Sequence, residues 1–324
     1  MKIALIAPGL LPVPPPGWGA VETIIWHHKC YLEQFGHQVE IFNTRAIHKV
    51  IHRINAGPYD FVHCHSELFI LECLAHLTRP MATTSHNGTL SLGRPDLFDR
   101  SEGFEYLFND TLKTSANIVL SERIRDLYLR LGYRGRLYVL RNGVAINAFR
   151  IAPQGNGKAV CLGRLSARKR QTWLAEITRN RIAVDFVGPP PVDGSDILPE
   201  SATAKYLGEW DRPTIHERLT NYSCLVLLSR SEAAPLVVLE ALAAGLSLVV
   251  SEASSANLTN GPFITILSDR ESNRDVICSE IQAAIDHNDA QRHAIRRYAK
   301  MTFDFSTVVF DYLSIIHDIC RSAR

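Results

Sequence analysis

Short apolar runs alternate along the chain with longer segments whose apolar residues recur at the spacing of one helix face. The first run, Ile3–Ala7, is rich in β-branched residues and ends at Pro8-Gly9. A helical pattern follows a loop rich in Pro and Gly, and Gly36 ends it; its face residues are Val21, Ile24, Ile25, His28, Leu32 and Phe35. This alternation predicts βαβ units, in which right-handed crossovers produce a parallel sheet with helices on both faces.

The predicted strands form two sets, separated by a polar segment rich in Pro and Gly, Ala152–Lys158, that we interpret as a linker. The first set is Ile3–Ala7, Val39–Phe42, Phe61–His63, Met81–Ser85, Ile118–Leu120 and Leu137–Leu140. The second set is Val160–Leu162, Ala183–Val187, Lys205–Leu207, Cys224–Leu228, Ser247–Val250 and Phe263–Leu267. A last helical pattern begins at Phe305.

This pattern predicts an α/β fold with two Rossmann-like, doubly wound domains. We place them at residues 1–151 and 157–304, with a helix at about 305–324 that packs back on the first domain. The length of 324 residues agrees with two domains of about 100–200 residues each.

Composition excludes several classes of protein. A hydrophobic content of 46% excludes disorder, and a net charge of +2 gives no bulk attraction for nucleic acid. No run of 18 apolar residues exists, and the stretch before Pro8 is too short for a secretory signal. Seven scattered cysteines without C-x-x-C spacing are typical of reduced thiols, so we expect a cytoplasmic protein.

Stretches with Pro, Gly, Trp, His or charged residues follow the ends of four predicted strands, at positions 14–22, 85–88, 163–170 and 229–232. In open α/β sheets, ligands bind outside the carboxyl ends of the strands. Two sets of such loops predict a ligand cleft between the domains.

The loop after the first strand of the second half carries Gly163-Arg164 and then Lys169. A planar guanidinium and a compact ammonium at a strand end can together hold a diphosphate. The alternative is a solvated basic turn, which we favour for Arg168 and Arg170.

Two carboxylates flank the start of an Ala-rich helix, Glu232 and Glu240. Pro235 fits the first position of a helix, and Gly245 fits its C-terminal stop. The helix is therefore predicted to begin just after Glu232, and the free N–H groups of its first turn suit an anion. Carboxylates also accept hydrogen bonds from sugar hydroxyls. The alternative is that Glu232 caps the helix and Glu240 forms a surface pair.

Arg164 and Lys169, followed by Glu232-x7-Glu240, resemble the retaining glycosyltransferases of family 4. Further segments that resemble this family are Pro12–Glu22, Gly36–Val39, Tyr59–His65, Arg141–Val144 and Phe186–Gly188. The resemblance implies the GT-B fold, in which two Rossmann-like domains face each other across a nucleotide-sugar cleft.

The resemblance also implies roles for individual residues. Arg164 and Lys169 would neutralise the donor diphosphate, Glu232 would bind the transferred sugar, and His86 would contact that sugar near its reacting carbon. The implied donor-binding residues are Glu240 at the ribose, Gly163, Leu236 and Val237 through backbone groups, Leu207 near the nucleobase, and Gly17 and Gly19 where the backbone approaches closely.

The implied activity is the retaining transfer of a hexose-type sugar from a UDP- or GDP-sugar, without a metal, to a hydroxyl on a glycan, a lipid-linked acceptor or a small molecule. The alternative is a non-catalytic nucleotide-sugar-binding protein or a partner subunit of a glycosyltransferase. A nicotinamide-dependent oxidoreductase is excluded by spacing, because Gly17 and Gly19 come late after the first strand and Asn43 ends the second.

Three histidines and a cluster of arginines are weaker candidates for functional sites. His63 and His65 alternate along a strand and are predicted to point to opposite faces, which disfavours a metal site. His28 is predicted to be a core residue with satisfied polar atoms. Arginines 123, 125, 130, 134, 136, 141 and 150 indicate either a solvated face or a peripheral contact with an anionic membrane at its inner face.

Overall fold

The computed structural model describes residues 1–88, 109–191, 198–199 and 201–323. By its internal contacts the chain divides into two units. The first consists of Met1–Pro15, Gly19–Asn142 and Phe305–Arg324, and the second of Pro16–Trp18 and Gly143–Asp304. The main division therefore falls at Asn142–Gly143, ahead of the polar segment 152–158.

The first unit contains a six-stranded parallel sheet in the order β2-β1-β3-β4-β5-β6. Its strands are β1 (Lys2–Ile6), β2 (Gln38–Phe42), β3 (Phe61–Cys64), β4 (Met81–Thr83), β5 (Ala116–Val119) and β6 (Arg136–Val139). Its described α-helices are α1 (Ala20–Gln34), α2 (Ile47–Ala56), α3 (Ile70–His76), α4 (Glu122–Arg130) and, at the end of the chain, α10 (Phe305–Ser322).

The second unit contains another six-stranded parallel sheet, in the order β12-β11-β10-β7-β8-β9. Its strands are β7 (Ala159–Leu162), β8 (Val184–Val187), β9 (Ala204–Tyr206), β10 (Cys224–Leu227), β11 (Ser247–Ser251) and β12 (Ile264–Leu267). Its described α-helices are α5 (Gln171–Thr178), α6 (Arg212–Arg218), α7 (Leu236–Ala243), α8 (Arg274–Asp286) and α9 (Asn288–Phe303).

The predicted α/β fold with two Rossmann-like sheets is confirmed. Each of the predicted strands exists, because a strand covered on both faces must be apolar along its whole length and is therefore visible in the sequence. None of the described helices is both long enough and apolar enough to span a bilayer.

Helix α10 packs against α1 in the core of the first unit. Val308, Tyr312 and Ile316 on α10 share one apolar cluster with Ile25 and Leu32 on α1. Their side chains are buried, so the last helix completes the layer on one face of the first sheet.

Helix α7 begins later than its sequence indicates. The helix starts at Leu236, and Pro235 is its N-cap residue with extended geometry (φ −69°, ψ 118°), so the prediction that Pro235 occupies the first helical position is wrong. Gly245 ends the helix as expected, with a φ of +84° that favours glycine.

The polar segment 152–158 is hydrogen-bonded to the second unit. The amide of Ala152 donates to Thr220 Oγ1 at 2.8 Å, and the amide of Gly155 donates to Asp289 Oδ1 at 2.7 Å. A Cβ on Gly155 would lie 2.2 Å from Ser223 Oγ, so only glycine permits this close approach. The segment is thus anchored in place.

A buried arginine holds this region together. Arg292 on α9 is only 1% exposed. Its guanidinium donates to the carbonyls of Ala152 and Tyr222, both at 3.0 Å, and to that of Thr220. It also reaches Ala244 O, at the end of α7, at 3.4 Å. One side chain therefore satisfies carbonyls from three separate segments.

We expect Arg292→Met to lower the free energy of unfolding of the second unit by about 3–5 kcal/mol, because it leaves several buried carbonyls without donors. Urea denaturation measures the loss. Arg297→Met, at an exposed position of the same helix, is the matched control and should change stability little. Equal effects of the two substitutions would contradict this role of Arg292.

Candidate functional site

A buried ion pair joins two loops of the second unit. Lys169 Nζ lies 2.6 Å from Glu232 Oε1, and the two side chains are 13% and 10% exposed. Lys169 follows β7 and Glu232 follows β10, and these strands are neighbours in the sheet. Ser229 Oγ donates to the same carboxylate oxygen at 3.0 Å. Two of the predicted site residues are therefore brought together.

The surroundings of Glu232 keep its carboxyl group ionised. Burial by itself raises the pKa of this group, but the positive charges of Lys169 and Arg168 outweigh burial and hold the pKa below its usual value. Glu232 is thus a fixed carboxylate that accepts hydrogen bonds at neutral pH.

Arg168 belongs to this cluster, so its interpretation as a solvated turn residue is wrong. Its Nη1 lies 3.2 Å from Glu232 Oε2 and also donates to Ser231 O. The sequence did not reveal this contact because it depends on the loop after β10. Arg170, in contrast, has its guanidinium 3.6 Å from the centre of the Trp173 ring.

Glycines allow the ends of β7 and β8 to approach each other. Gly188 has a φ of +147°, and a Cβ there would lie 2.2 Å from Gly163 O. Gly163 has a φ of +149°, and its Cβ would lie 3.2 Å from Lys169 Cε. The backbone that carries Arg164 therefore lies close beside the lysine.

Arg164 differs from the other cations of this site. Its guanidinium lies 3.8 Å from the centre of the Trp18 ring, a cation–π contact. Within the described parts of the chain it has no carboxylate partner. Among the described residues, therefore, no carboxylate neutralises the positive charge of Arg164.

The segment Pro16–Trp18 belongs to the second unit and contacts it at further points. Pro16 O accepts a hydrogen bond from the amide of Arg212 at 3.0 Å. A Cβ on Gly17 would lie 2.8 Å from Glu209 Oε1 and 3.4 Å from Trp210 O, so this segment lies close against the loop after β9. Gly19, in the first unit, serves the start of α1, where its φ is +135°.

Glu240 is paired with a residue that the sequence did not single out. Arg212 Nη1 lies 2.7 Å from Glu240 Oε1, and the side chains are 19% and 6% exposed, so the alternative of a surface pair is wrong. Asp211 caps α6 and places Arg212 in its first turn. The capping residue Asp211 predicts from the sequence where α6 begins. It does not predict the partner of Arg212, because Glu240 lies on a different helix, α7.

The remaining donor-binding candidates surround this cluster. Leu236 and Val237 form the first turn of α7, and Glu232 lies outside that helix. Pro235, not Glu232, is the N-cap residue of this helix, and the Glu232 carboxylate binds Lys169 and Ser229. Leu207 is 41% exposed, and its amide donates to Phe186 O at 2.9 Å.

His86, in the first unit, belongs to a histidine cluster beyond β3 and β4. Its Nε2 lies 3.0 Å from His65 Nδ1. The rings of His63 and His65 have centroids 3.9 Å apart, so the prediction that they point to opposite faces is wrong. Strand β3 ends at Cys64, and the alternation of a strand does not extend to His65.

Three histidines of this cluster, His28, His63 and His65, have nitrogens within 4.8 Å of one another. His63 is already engaged on both sides, because Nδ1 lies 2.6 Å from Tyr312 Oη and Nε2 lies 2.8 Å from Thr84 Oγ1. Thr84 gives its proton to Ile118 O and therefore accepts from His63. His63 fits a hydrogen-bonded network better than a set of metal ligands.

His28 is buried as expected, and its ring stacks on Tyr312 with centroids 4.5 Å apart. Its Nδ1, however, has no hydrogen-bond partner in the described chain, so the prediction of satisfied polar atoms is wrong. Burial lowers the pKa of His28 to about 3 and that of His86 to about 4, which leaves both rings neutral at pH 7.

Comparison with known sequences gives two family matches. The family described as Glycosyltransferase Family 4 matches residues 27–148, and the family described as Glycosyl transferases group 1 matches residues 197–302. Together the two segments span more than half of the chain. No curated protein sequence matches it.

Solved structures share the fold over nearly the whole chain. Sucrose-phosphate synthase from Thermosynechococcus elongatus is 14% identical with a TM-score of 0.79, covering 99% of both chains. HepE of Anabaena in complex with UDP and glucose is 18% identical with a TM-score of 0.73, covering 98% of this chain and 100% of that one. A glycosyltransferase involved in avilamycin A biosynthesis is 15% identical with a TM-score of 0.73, covering 99% and 98%.

Two parallel Rossmann-like sheets of this topology define the GT-B class of glycosyltransferases. With a segment of each half matched by sequence as well, the chain is a glycosyltransferase enzyme of the family 4 type.

We expect Lys169 and Glu232 to show strong coupling in a double-mutant cycle of Lys169→Met and Glu232→Gln. Lys169→Met removes the ammonium that lies 2.6 Å from a buried carboxylate, so the coupling measured by urea unfolding should be about 1–3 kcal/mol. The matched control is the Arg181–Asp275 pair, whose side chains are both exposed. A coupling at Lys169–Glu232 as small as that of the control would contradict the importance of this ion pair.

Proposed function

We propose that the protein transfers a hexose-type sugar from a nucleotide-diphospho-sugar to a hydroxyl acceptor, with retention of the anomeric configuration. The observation that carries the proposal is the ion pair of Lys169 and Glu232 next to the backbone of Gly163, which precedes Arg164, an arginine with no carboxylate partner among the described residues. Such an arrangement suits a ligand with both phosphate oxygens and hydroxyl groups.

Arg164 and Lys169 receive the donor diphosphate in this proposal. Cleavage of the bond between sugar and phosphate leaves negative charge on the departing diphosphate, and positive charges positioned in advance stabilise it. Glu232 holds the ammonium of Lys169 in place before the donor arrives. Because these cations can supply the charge, we expect no metal requirement.

The carboxylates bind the hydroxyl groups of the donor. Glu232 is fixed and ionised, and it accepts from hydroxyls of the transferred sugar. Glu240 accepts from the ribose hydroxyls, while Arg212 holds the carboxylate in a single orientation. The nucleobase lies near Leu207. Backbone groups complete the donor site at Gly17, Gly19, Gly163, Leu236 and Val237.

Both acidic residues are bound to cations, so neither is available as a nucleophile in the structure. Retention, which the family resemblance implies, then proceeds by attack on the face from which the phosphate departs, with the leaving phosphate taking the acceptor's proton. His86 contacts the transferred sugar near its reacting carbon, as the family resemblance implies.

UDP-glucose is the first donor to test, because the similar HepE of Anabaena is described in complex with UDP-glucose. A GDP-sugar is the second. For the acceptor, exposed arginines at positions 123, 130, 134 and 136 of the first unit favour an anionic molecule or a peripheral contact with an anionic membrane on its cytoplasmic face.

We expect Arg164→Ala and Lys169→Ala each to lower the release of UDP from UDP-glucose by about 10²–10³-fold, because each removes charge from the leaving group. A coupled UDP assay measures turnover, and thermal unfolding confirms that the variants are folded. Arg297→Ala, at an exposed position of the same unit, is the control.

Wild-type turnover in either variant would overturn the diphosphate assignment. A wild-type protein that binds UDP-sugars but never releases UDP would instead support the alternative of a non-catalytic nucleotide-sugar-binding protein or partner subunit.

We expect the protein to bind UDP about 10–100-fold more tightly than 2′-deoxy-UDP, because a hydrogen bond to the charged Glu240 is lost with the hydroxyl. Titration calorimetry measures both affinities. Glu240→Gln should largely remove the preference, whereas Glu217→Gln, exposed on α6, should retain it. An unchanged preference in Glu240→Gln would rule out the ribose contact.

A further inference from the structure

One histidine of the first unit contacts His86 but is too deeply buried to touch a substrate. His65 is 2% exposed, whereas His86 is only partly buried. The two rings meet edge to edge, with centroids 5.3 Å apart and an interplanar angle of 24°, and His65 Nδ1 lies 3.0 Å from His86 Nε2. The other nitrogen of His86 has no hydrogen bond to any described residue.

We propose that His65 is a positioning residue whose Nδ1 hydrogen-bonds His86 Nε2 and so selects the tautomer and ring orientation with which His86 meets the donor sugar. This inference rests on the proposed role of His86 in transfer. It adds a residue that acts through His86 and has no substrate contact of its own.

The surroundings of His65 prevent its ring from turning. The His63 ring lies against it, with centroids 3.9 Å apart, and His63 is itself held on both sides by Tyr312 and Thr84. The backbone amide of His65 donates to Ile6 O at 2.9 Å, at the end of β1. The hydrogen bond to His86 therefore comes from a rigid support.

The tautomers follow from counting protons. Burial lowers the pKa of both His65 and His86, so the pair is neutral and a single proton lies between the two nitrogens. His65 Nε2 is buried without a partner among the described residues. A buried N–H without an acceptor is rarer than a buried acceptor without a donor, so Nε2 carries no proton and Nδ1 does.

His65 therefore donates to His86, whose Nε2 accepts. His86 then carries its own proton on Nδ1, and it offers that N–H as a hydrogen-bond donor to the sugar. Without His65, the His86 ring could adopt either tautomer and rotate, and only a fraction of the molecules would present the donor correctly.

The test compares His65→Ala, His65→Asn and His86→Ala for UDP release from UDP-glucose. Asn places an amide close to the position of Nδ1 and retains a donor for His86. His52→Ala, at an exposed position of the same unit, is the control. Each variant is checked by thermal unfolding with and without UDP.

We expect His65→Ala to lower kcat about 10–100-fold with little change in KM for the donor, since the effect passes through the orientation of another side chain. His65→Asn should recover most of the loss, and His52→Ala should match the wild type. In wild-type protein labelled with ¹⁵N-histidine, two-bond ¹⁵N–¹H spectra should show the proton of each of the two rings on Nδ1.

The outcomes separate this inference from the proposed function. Wild-type kcat in His86→Ala would overturn the role of His86 and the inference with it. Loss of kcat in His86→Ala but not in His65→Ala would leave the proposed function standing and overturn the inference alone. Equal losses in His65→Ala and His65→Asn, or a proton on His86 Nε2 in the spectra, would also overturn it, and the spectra need no variant that might fail to fold.

Discussion

The pair formed by Lys169 and Glu232 is the interaction on which the candidate site depends. Each residue follows a strand, and β7 and β10 are adjacent in the second sheet, so the sheet itself brings the two loops together. Because Glu232 is buried and Lys169 is only 13% exposed, removal of either charge would leave the other with a large desolvation cost. The pair keeps Glu232 ionised and Lys169 in place, while Arg164 has no carboxylate partner among the described residues.

The rest of the second unit supports that arrangement. Arg292 binds the end of α7 and two neighbouring segments, and so holds the helix that carries Glu240. Arg212 binds Glu240 directly. In the first unit, α10 performs a comparable task, since Tyr312 bonds His63 and thereby stiffens the support of the His65–His86 pair. In both units, residues distant in sequence hold the side chains that are candidates for chemistry.

Much of the fold could be predicted from the sequence because parallel strands covered on both faces are apolar throughout. The candidates Arg164, Lys169, Glu232 and Glu240 could be selected because their residue types suit a diphosphate and hydroxyl groups and because they follow strand ends. The partners could not be selected in this way. Arg168 and Arg212 look like ordinary surface cations until the loop after β10 is placed beside Arg168 and helix α7 beside Arg212.

The sequence by itself determined the α/β alternation, the strands, the helix stop at Gly245 and the family of the chain, because these depend on local composition and motif spacing. The tertiary structure decided the pairing of charges, the contact of His63 with His65 and the tautomer of His86. The reason is physical: burial and hydrogen bonding between distant segments set the charge and orientation of a side chain, and neither is encoded in the neighbouring residues of the chain.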